Sequence, residues 1–313
     1  MSDQFDVETA SAMVERVEAE IDERIVGQEA VVRRLLVCLL TDGNALLEGT
    51  PGLGKTLLIR TLAEAVDLSF ARIQNTPDLM PSDITGTEVI RESGDDRVFV
   101  FEEGPVFANV VLADEINRAT PKTQAALLEA MAEGQVTAGG ETRELPAPFF
   151  VLATQNPIDQ EGTYPLPEAQ RDRFEMKITI EAPSFEEELA IVDRYTGTID
   201  PAPPVETVLS GDELRAIQEL VRQVPIADDI SERAVRLVAD TREADRLEYG
   251  ASPRASMALV VGAKAHALLE GRTYVSEADL EAIARPALRH RVVVDFRAER
   301  DGVTPDDVIE ELL

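Results

Sequence analysis

Gly49-Thr50-Pro51-Gly52-Leu53-Gly54-Lys55-Thr56 has the spacing of a phosphate-binding loop, G-x-x-x-x-G-K-T, and follows directly on the apolar run Ala45-Leu46-Leu47. A strand feeding a glycine-rich turn that opens a helix aims successive backbone N–H groups, and the positive helix end, at a chain of phosphates. Lys55 can then reach the terminal phosphates, and the Thr56 hydroxyl can ligate Mg²⁺. The flanking strand and helix patterns set this match apart from a chance glycine-containing turn. The loop is therefore expected to bind a nucleoside triphosphate.

Upstream of the loop, Val7, Ala10, Val14, Val17, Ile21 and Ile25 form an i, i+3/i+4 stripe that predicts an amphipathic helix. A second helix is expected over Glu29 to Leu40, and a third from Lys55 to about Val66. From Gln74 to Gly104 the chain is rich in turn residues. β-like stretches at Thr87–Ile90 and Val98–Phe101 flank the acidic turn Ser93-Gly94-Asp95-Asp96, which reads as a hairpin inserted into an α/β framework. Val110–Ala113, Phe149–Ala153 and Ile178–Ile180 are continuous apolar runs, as buried parallel strands require. Between the first two, Thr120 and Pro121 have the N-cap and first-turn signature of a helix. Strands alternating with helices to about Glu181 imply a doubly wound parallel sheet.

After Pro183 the period turns helical. Start signals recur at Ser184 with Glu187, Ser210 with Glu213, Ser252 before Pro253, Ser276 with Asp279, and Thr304 before Pro305. Asp200-Pro201-Ala202-Pro203-Pro204 reads as a stiff loop. The expected organisation is an α/β core over residues 1–183, with an insert near 74–104, and an all-helical domain over 184–313.

Composition narrows the function classes. The 313 residues carry 30 Lys+Arg against 60 Asp+Glu, a formal charge of −30, which repels a nucleic-acid backbone. The acid is spread along the chain, not gathered in a tail, which favours solubility in a high-salt cytoplasm over a local patch for a basic partner. Cys38 is the single cysteine and lies in an apolar helical run, so it reads as a structural thiol. His266 and His290 have no cysteine partners, which argues against zinc. The N-terminus lacks an apolar signal core and no stretch of eighteen apolar residues occurs, so the expectation is a cytoplasmic protein with no membrane span.

Hydrolysis needs more than a phosphate loop. Asp114-Glu115 ends the Val110–Ala113 strand and should project at the carboxyl edge of the sheet, where ligands of open α/β folds sit. Asp114 can hold Mg²⁺ through its water shell, and Glu115 can orient and deprotonate the attacking water. Thr154-Gln155-Asn156-Pro157 ends the next strand, and the Asn156 amide can hydrogen-bond the γ-phosphate or the lytic water. Arg171-Asp172-Arg173-Phe174 precedes the last core strand and offers positive charge of the kind phosphoryl transfer needs. Arg254 follows Ser252-Pro253 at a helix start, where a cation opposes the macrodipole, so its placement hints at a functional demand.

With these residues set out, the chain resembles an AAA+ ATPase of the MoxR family along nearly its whole length. The resemblance rests on Val26-Gly27-Gln28-Glu29, Gln74-Asn75-Thr76-Pro77-Asp78-Leu79, Glu103-Gly104-Pro105, Ala113-Asp114-Glu115-Ile116-Asn117-Arg118, Leu128-Glu129-Ala130-Met131 and the run from Ala153 to Phe174. Gly250-Ala251-Ser252-Pro253-Arg254, Gly271–Val275 and His290-Arg291 extend it into the helical domain. The resemblance implies an α/β P-loop NTPase core with a helix-2 hairpin insert facing a ring pore, followed by a small all-α lid. It also implies that Lys55 and Thr56 form the Walker A pair and Asp114 and Glu115 the Walker B pair. Asn156 would be sensor 1, Arg173 a trans-acting arginine finger, and Arg254 the sensor 2 arginine of the lid. Val26 and Gly27 would line the adenine pocket. Such proteins bind ATP and Mg²⁺, assemble as rings, usually hexamers, and act as chaperone-like ATPases. Many have von Willebrand factor A domain partners.

Two departures stand out: Gly54 replaces a common alanine, and Arg171 replaces the usual apolar residue before Asp-Arg-Phe, leaving Arg171 as a rival to Arg173. The leading expectation is an ATP-driven remodelling chaperone. The rivals are a nucleic-acid motor and an ATP-gated scaffold. From Arg72 to Glu103, three arginines face eight acids, which disfavours the motor, and an intact Glu115 disfavours the scaffold.

Overall fold

The computed structural model describes residues 6–93, 96–156, 163–197 and 204–313. Gly94 and Asp95 of the expected acidic turn, Pro157, and Asp200-Pro201-Ala202-Pro203 of the expected stiff loop lie outside the described residues.

Two helices, α1 (Val7–Asp22) and α2 (Glu29–Leu40), precede the first strand, β1 (Ala45–Glu48). The stripe read from the sequence is the buried face of α1: Ala10, Val14, Val17 and Ile21 are all buried. α2 buries eight of its twelve residues, Val31 to Leu40, because its apolar positions run almost all the way round. After β1 come α3 (Lys55–Ala65), β2 (Phe70–Gln74), the short α4 (Pro81–Thr85) and a hairpin of β3 (Gly86–Ser93) and β4 (Asp96–Glu103). Next are β5 (Val110–Asp114) and α5 (Pro121–Glu133), a second hairpin of β6 (Gln135–Ala138) and β7 (Glu141–Glu144), then β8 (Phe150–Gln155), α6 (Glu168–Arg171) and β9 (Met176–Thr179).

The central sheet has five parallel strands in the order β2-β5-β8-β1-β9. Four strands supply runs with no exposed side chain, β5 for example reading Val110-Val111-Leu112-Ala113 in full burial. Such runs need cover on both faces, and two clusters supply it. One carries Leu47, Leu112 and Leu152 against α1, α2, α3 and the C-terminal helices; the other carries Leu46, Val111 and Ala153 against α5 and Phe174. The 180° alternation of strand side chains sends successive residues to opposite clusters. The β6–β7 hairpin carries mostly polar side chains and no apolar alternation, so it left no period to read in the sequence.

The C-terminal region contains α7 (Phe185–Thr196), α8 (Gly211–Gln223), α9 (Asp228–Thr241), β10 (Leu247–Tyr249), α10 (Pro253–Leu269), α11 (Glu277–Leu288), β11 (Val293–Val294), α12 (Phe296–Arg300) and α13 (Pro305–Leu312). The start signals are real caps: Ser184, Ser210, Ser276 and Thr304 form capping boxes with Glu187, Glu213, Asp279 and Asp307. The region is helical apart from the short antiparallel pair β10–β11, which breaks the expected all-helical pattern over only five residues. α10 is its axis, built from small residues. At Gly262 an added Cβ would come within 2.8 Å of the Ile283 side chain, so glycine there permits the close approach of α10 and α11.

Candidate functional site

The loop from Gly49 to Thr56 leaves the end of β1 and enters α3 at Lys55. Gly52 and Gly54 take positive φ, 88° and 75°, and a Cβ on either would meet nothing within 4 Å, so open space lies beside this stretch of backbone. Gly49 is fixed by packing: its Cβ would fall 2.7 Å from the Ile180 carbonyl oxygen, just beyond β9. Lys55 Nζ donates to the carbonyls of Gly49 (2.6 Å) and Thr50 (3.3 Å), curling over the loop it serves. Burial lowers its pKa, with Asp114 and Glu115 pulling the other way.

A cleft of about 480 Å³ joins this loop to the carboxyl ends of the neighbouring strands. Pro51, Gly52, Gly54, Lys55 and Thr56 line one side; Asp114, Glu115, Thr154 and Asn156 line the other. The sheet order places β8 beside β1 and β5 next to β8, so five sequence-predicted residues converge: Lys55, Thr56, Asp114, Glu115 and Asn156. Thr154 ties the acids together. Its hydroxyl donates to Asp114 Oδ1 (2.6 Å) and accepts from the Glu115 N–H (2.8 Å). Glu115 itself sits at φ 54°, ψ 52°, the left-handed region, which costs a non-glycine residue about 1–2 kcal/mol. The Thr154 bond helps to hold it there. Both acids also carry an arginine. Arg72 Nε (3.2 Å) and Nη2 donate to Asp114 Oδ2, and Arg118 Nη1 donates to Glu115 Oε2 (2.8 Å).

Next to the loop is an apolar pocket of about 140 Å³, lined by Ile25, Val26, Leu53, Leu57, Ile191 and Tyr195 among others. Gln28 also lines it, donating from Nε2 to Leu53 O (3.2 Å); its Oε1 is buried and has no partner among the described residues. Gly27 takes φ +70°, and a Cβ there would lie 2.1 Å from Glu187 Oε1. The capping carboxylate of α7 therefore sits directly on the Val26-Gly27 turn. An apolar pocket with a spare buried acceptor beside a phosphate-loop cleft fits a nucleotide base, and Thr56 with Asp114 offers the oxygen donors that Mg²⁺ takes. Among the described residues no cluster of three or more Asp, Glu, His or Cys could hold a metal by itself, so water and phosphate oxygens would complete its shell.

Arg173 and Arg254 lie elsewhere. Both line a second cleft, of about 330 Å³, with Met131, Asp172, Glu175, Arg222, Met257 and Arg291; none of the residues of the loop cleft takes part. Arg173 Nη1 donates to Leu128 O (3.0 Å). Arg254 is exposed, and its guanidinium has no partner among the described residues. Asp172 joins the two arginines' supports: it accepts from Ser252 Oγ (2.8 Å), the cap of α10, and from Arg291 Nε (3.0 Å). Arg291 also donates to the carbonyls of Phe174 (2.7 Å) and Glu175 (3.2 Å). Phe174 is fully buried and anchors the loop from below, contributing about 2–3 kcal/mol. Arg171 does not line this cleft.

Residues 44–176 match the family model described as "ATPase family associated with various cellular activities (AAA)", and residues 239–312 match an AAA lid domain. The chain is 45% identical over 309 residues to "Chaperone MoxR1" of Mycobacterium tuberculosis, covering 96% of this chain and 81% of that one. This chain is a MoxR-family AAA+ ATPase. The "Protein MoxR" of Methylorubrum extorquens is 33% identical over 317 residues, covering 93% and 91% of the two chains. A solved structure of a candidate ATPase from Cytophaga hutchinsonii superposes with a TM-score of 0.91 at 41% identity, over 97% of this chain and 94% of that one. The parallel sheet and helical lid of the MoxR-family fold are thus shared with it. No helix among the described residues is long and apolar enough to cross a membrane.

Sequence reasoning missed three side chains of this MoxR-family site: Thr154 and Arg118 were passed over within motifs, and Arg72 was counted only as a charge of the insert. Their signal is a neighbour 40, 3 and 42 residues away in sequence. Only the strand order shows why Arg72 and Thr154 matter.

Proposed function

We propose that this chain hydrolyses ATP as a subunit of a homo-oligomeric ring, a hexamer by analogy with its family, and couples turnover to the remodelling of protein complexes. The observation that carries this reading is the separation of the two clefts. One holds the phosphate loop and the acids; the other holds Arg173 and Arg254 with no residue in common. Phosphoryl transfer gains about 10³–10⁵ in rate from an arginine on the transferred group. A neighbouring subunit that presented its arginine cleft to this loop would supply two.

In this mechanism Lys55 exchanges the Gly49 and Thr50 carbonyls for the β- and γ-phosphates. Glu115, aimed by its left-handed backbone, takes a proton from the attacking water, and Asn156 orients that water or the γ-phosphate. Thr56 and Asp114 would hold Mg²⁺, which when bound offsets charge on the phosphate oxygens. The base would lie between Val26-Gly27 and the start of α7, at the boundary we assign between a core (1–183) and a lid (184–313). The acidic surface suits a cytoplasm rich in salt.

The insert supports a protein client. Ile90 and Phe99 are cross-strand partners on β3 and β4, exposed by 58% and 71%; Glu88 and Glu92 lie two residues either side of Ile90, and Arg97 and Phe101 two residues either side of Phe99. An exposed apolar pair whose neighbouring arginines Arg91 and Arg97 are already paired with Glu102 and Glu92 suits a polypeptide better than a phosphate backbone. A von Willebrand factor A domain protein is the expected partner. The test is subunit mixing: Arg173→Ala and Lys55→Ala should each be inactive alone and regain turnover together, because each supplies what the other lacks. No regain at any ratio, or a rate per subunit independent of protein concentration, would overturn the shared site.

A further inference from the structure

Asp114 faces a cation of its own chain. The β2–β5 register pairs Gln74 with Asp114 and Arg72 with Leu112, so Arg72 starts two residues below the acid on the next strand and reaches up to it. Its guanidinium donates to Asp114 Oδ2 through Nε and Nη2, and Nη2 also donates to Gln74 Oε1 (2.6 Å). The other carboxylate oxygen, Oδ1, accepts from Thr154. Both oxygens of the expected metal-holding carboxylate therefore have donors within the chain. Glu115 is likewise paired with Arg118, and no cluster of three acids, histidines or cysteines among the described residues could take a metal unaided. Along the cleft walls Lys55 and Arg72 offset Asp114 and Glu115.

Orientation and charge make opposite demands here. As an orienting group, Arg72 would improve a metal site at Asp114. As a fixed cation, it repels a divalent ion on the same carboxylate: at about 6 Å in a water-like dielectric the repulsion corresponds to roughly a factor of ten in affinity. Thr154 already orients Asp114 from a buried strand position, whereas Arg72 is exposed at the sheet edge and adds mainly charge. We propose that Arg72 is a counter-cation that keeps a divalent metal from settling on Asp114 alone, so that metal is taken up only together with the triphosphate. Four negative charges on the incoming nucleotide would outweigh one guanidinium, and Arg72 would then share Asp114 with the metal's water shell. The inference rests on the ATP reading of this cleft.

The experiment titrates Mn²⁺ by its free-ion electron paramagnetic resonance signal, without nucleotide and with a non-hydrolysable ATP analogue, at fixed high salt. The site is defined as the binding lost in Asp114→Asn, which removes the background of an acidic surface. Arg72→Gln should bind Mn²⁺ without nucleotide about tenfold more tightly than the wild type. With the analogue bound the gain should be smaller, because the phosphates then offset the guanidinium, so the factor by which the analogue improves metal affinity should fall. Arg72→Lys, which keeps charge without the planar fork, should stay near the wild type. Unchanged or weaker Mn²⁺ binding by Arg72→Gln would overturn the role of Arg72 while leaving the ATP reading intact. Failure of the wild type to bind the analogue would overturn that reading and this inference together.

Discussion

Replacing Thr154 by valine isolates one hydroxyl on which both acids of the cleft depend. The side chain is buried, 1% exposed, on a strand where valine is isosteric and at home, so no cavity and no loss of strand propensity is expected. What disappears is the donor to Asp114 Oδ1 and the acceptor for the Glu115 N–H. A hydrogen bond to a charged group contributes about 1.5–3 kcal/mol. If that support is spent on holding the acids in their reactive geometry, turnover should fall about ten- to hundred-fold at about 1.4 kcal/mol per decade. ATP affinity should move less, since Lys55 and the loop backbone are untouched. Thr154→Ser keeps the hydroxyl and should stay within about threefold of the wild type, which separates the hydrogen bonds from the methyl group. The assay is steady-state ATP turnover together with analogue binding and thermal melting. A Thr154→Val protein with wild-type turnover would refute the claim that this hydroxyl sets the two acids.

Glu115→Gln should bind ATP as before and lose turnover by about 10²–10⁴, the range of a general base, when phosphate release is followed; retained hydrolysis would remove Glu115 from the mechanism. Gly27→Ala places a Cβ against the Glu187 carboxylate at a positive φ and should weaken binding of a fluorescent ATP analogue by about tenfold, given roughly 1–2 kcal/mol for the left-handed backbone. Burial alone would raise the Asp279 pKa, but hydrogen bonds from His266, Ser276 and Arg272 outweigh it and bring the carboxyl down to about 2 from 3.8. A depressed acid stabilises the fold fully above its unfolded pKa and loses that contribution as pH falls through the folded one. Asp279→Asn should therefore cost about 2–3 kcal/mol near pH 7 in denaturant titrations, and its gap to the wild type should close between about pH 4 and pH 2; a gap independent of pH would contradict the assignment.

Where chemistry follows from neighbours in the chain, the sequence was readable. The phosphate loop, Thr120 with Pro121, the paired cap Ser184–Glu187 and Thr304 before Pro305 are all local patterns, and each is found in place. Apolar runs gave the strands but not their order, so the proximity of Asp114 and Asn156 to the loop was expected only by the rule that ligands gather at the carboxyl edge. The Arg72–Asp114 pair needs β2 to lie beside β5, and no spacing announces that. Arg254 carried a local anomaly, a cation at a helix start, but its companionship with Arg173 comes from Asp172, which belongs to a different domain from the helix cap it accepts from. The β6–β7 and β10–β11 pairs are too short and too polar to show an alternation.

Three successive residues after α11 hold β9 from both ends. Arg289 donates to Thr179 Oγ1 (2.8 Å) past the middle of the strand, while His290, neutral because burial holds its pKa well below the usual value, donates from Nε2 to Phe174 O (3.0 Å) before its start, alongside Arg291. A joint riveted at two points cannot pivot at either. A tilt of the helical lid would therefore be passed to the strand and to the loop that carries Arg173, and Ser252, bonded to Asp172 of that loop, would tie Arg254 to the same movement. The apolar pocket beside the phosphate loop joins the same frame through Ile191 and Tyr195 of α7, while Gly27, which does not line it, packs against Glu187 at the start of that helix. In the ring proposed above, a base entering the pocket at one end of this frame would press on the arginines at the other, so the next subunit would feel nucleotide arrive before any phosphate is cut.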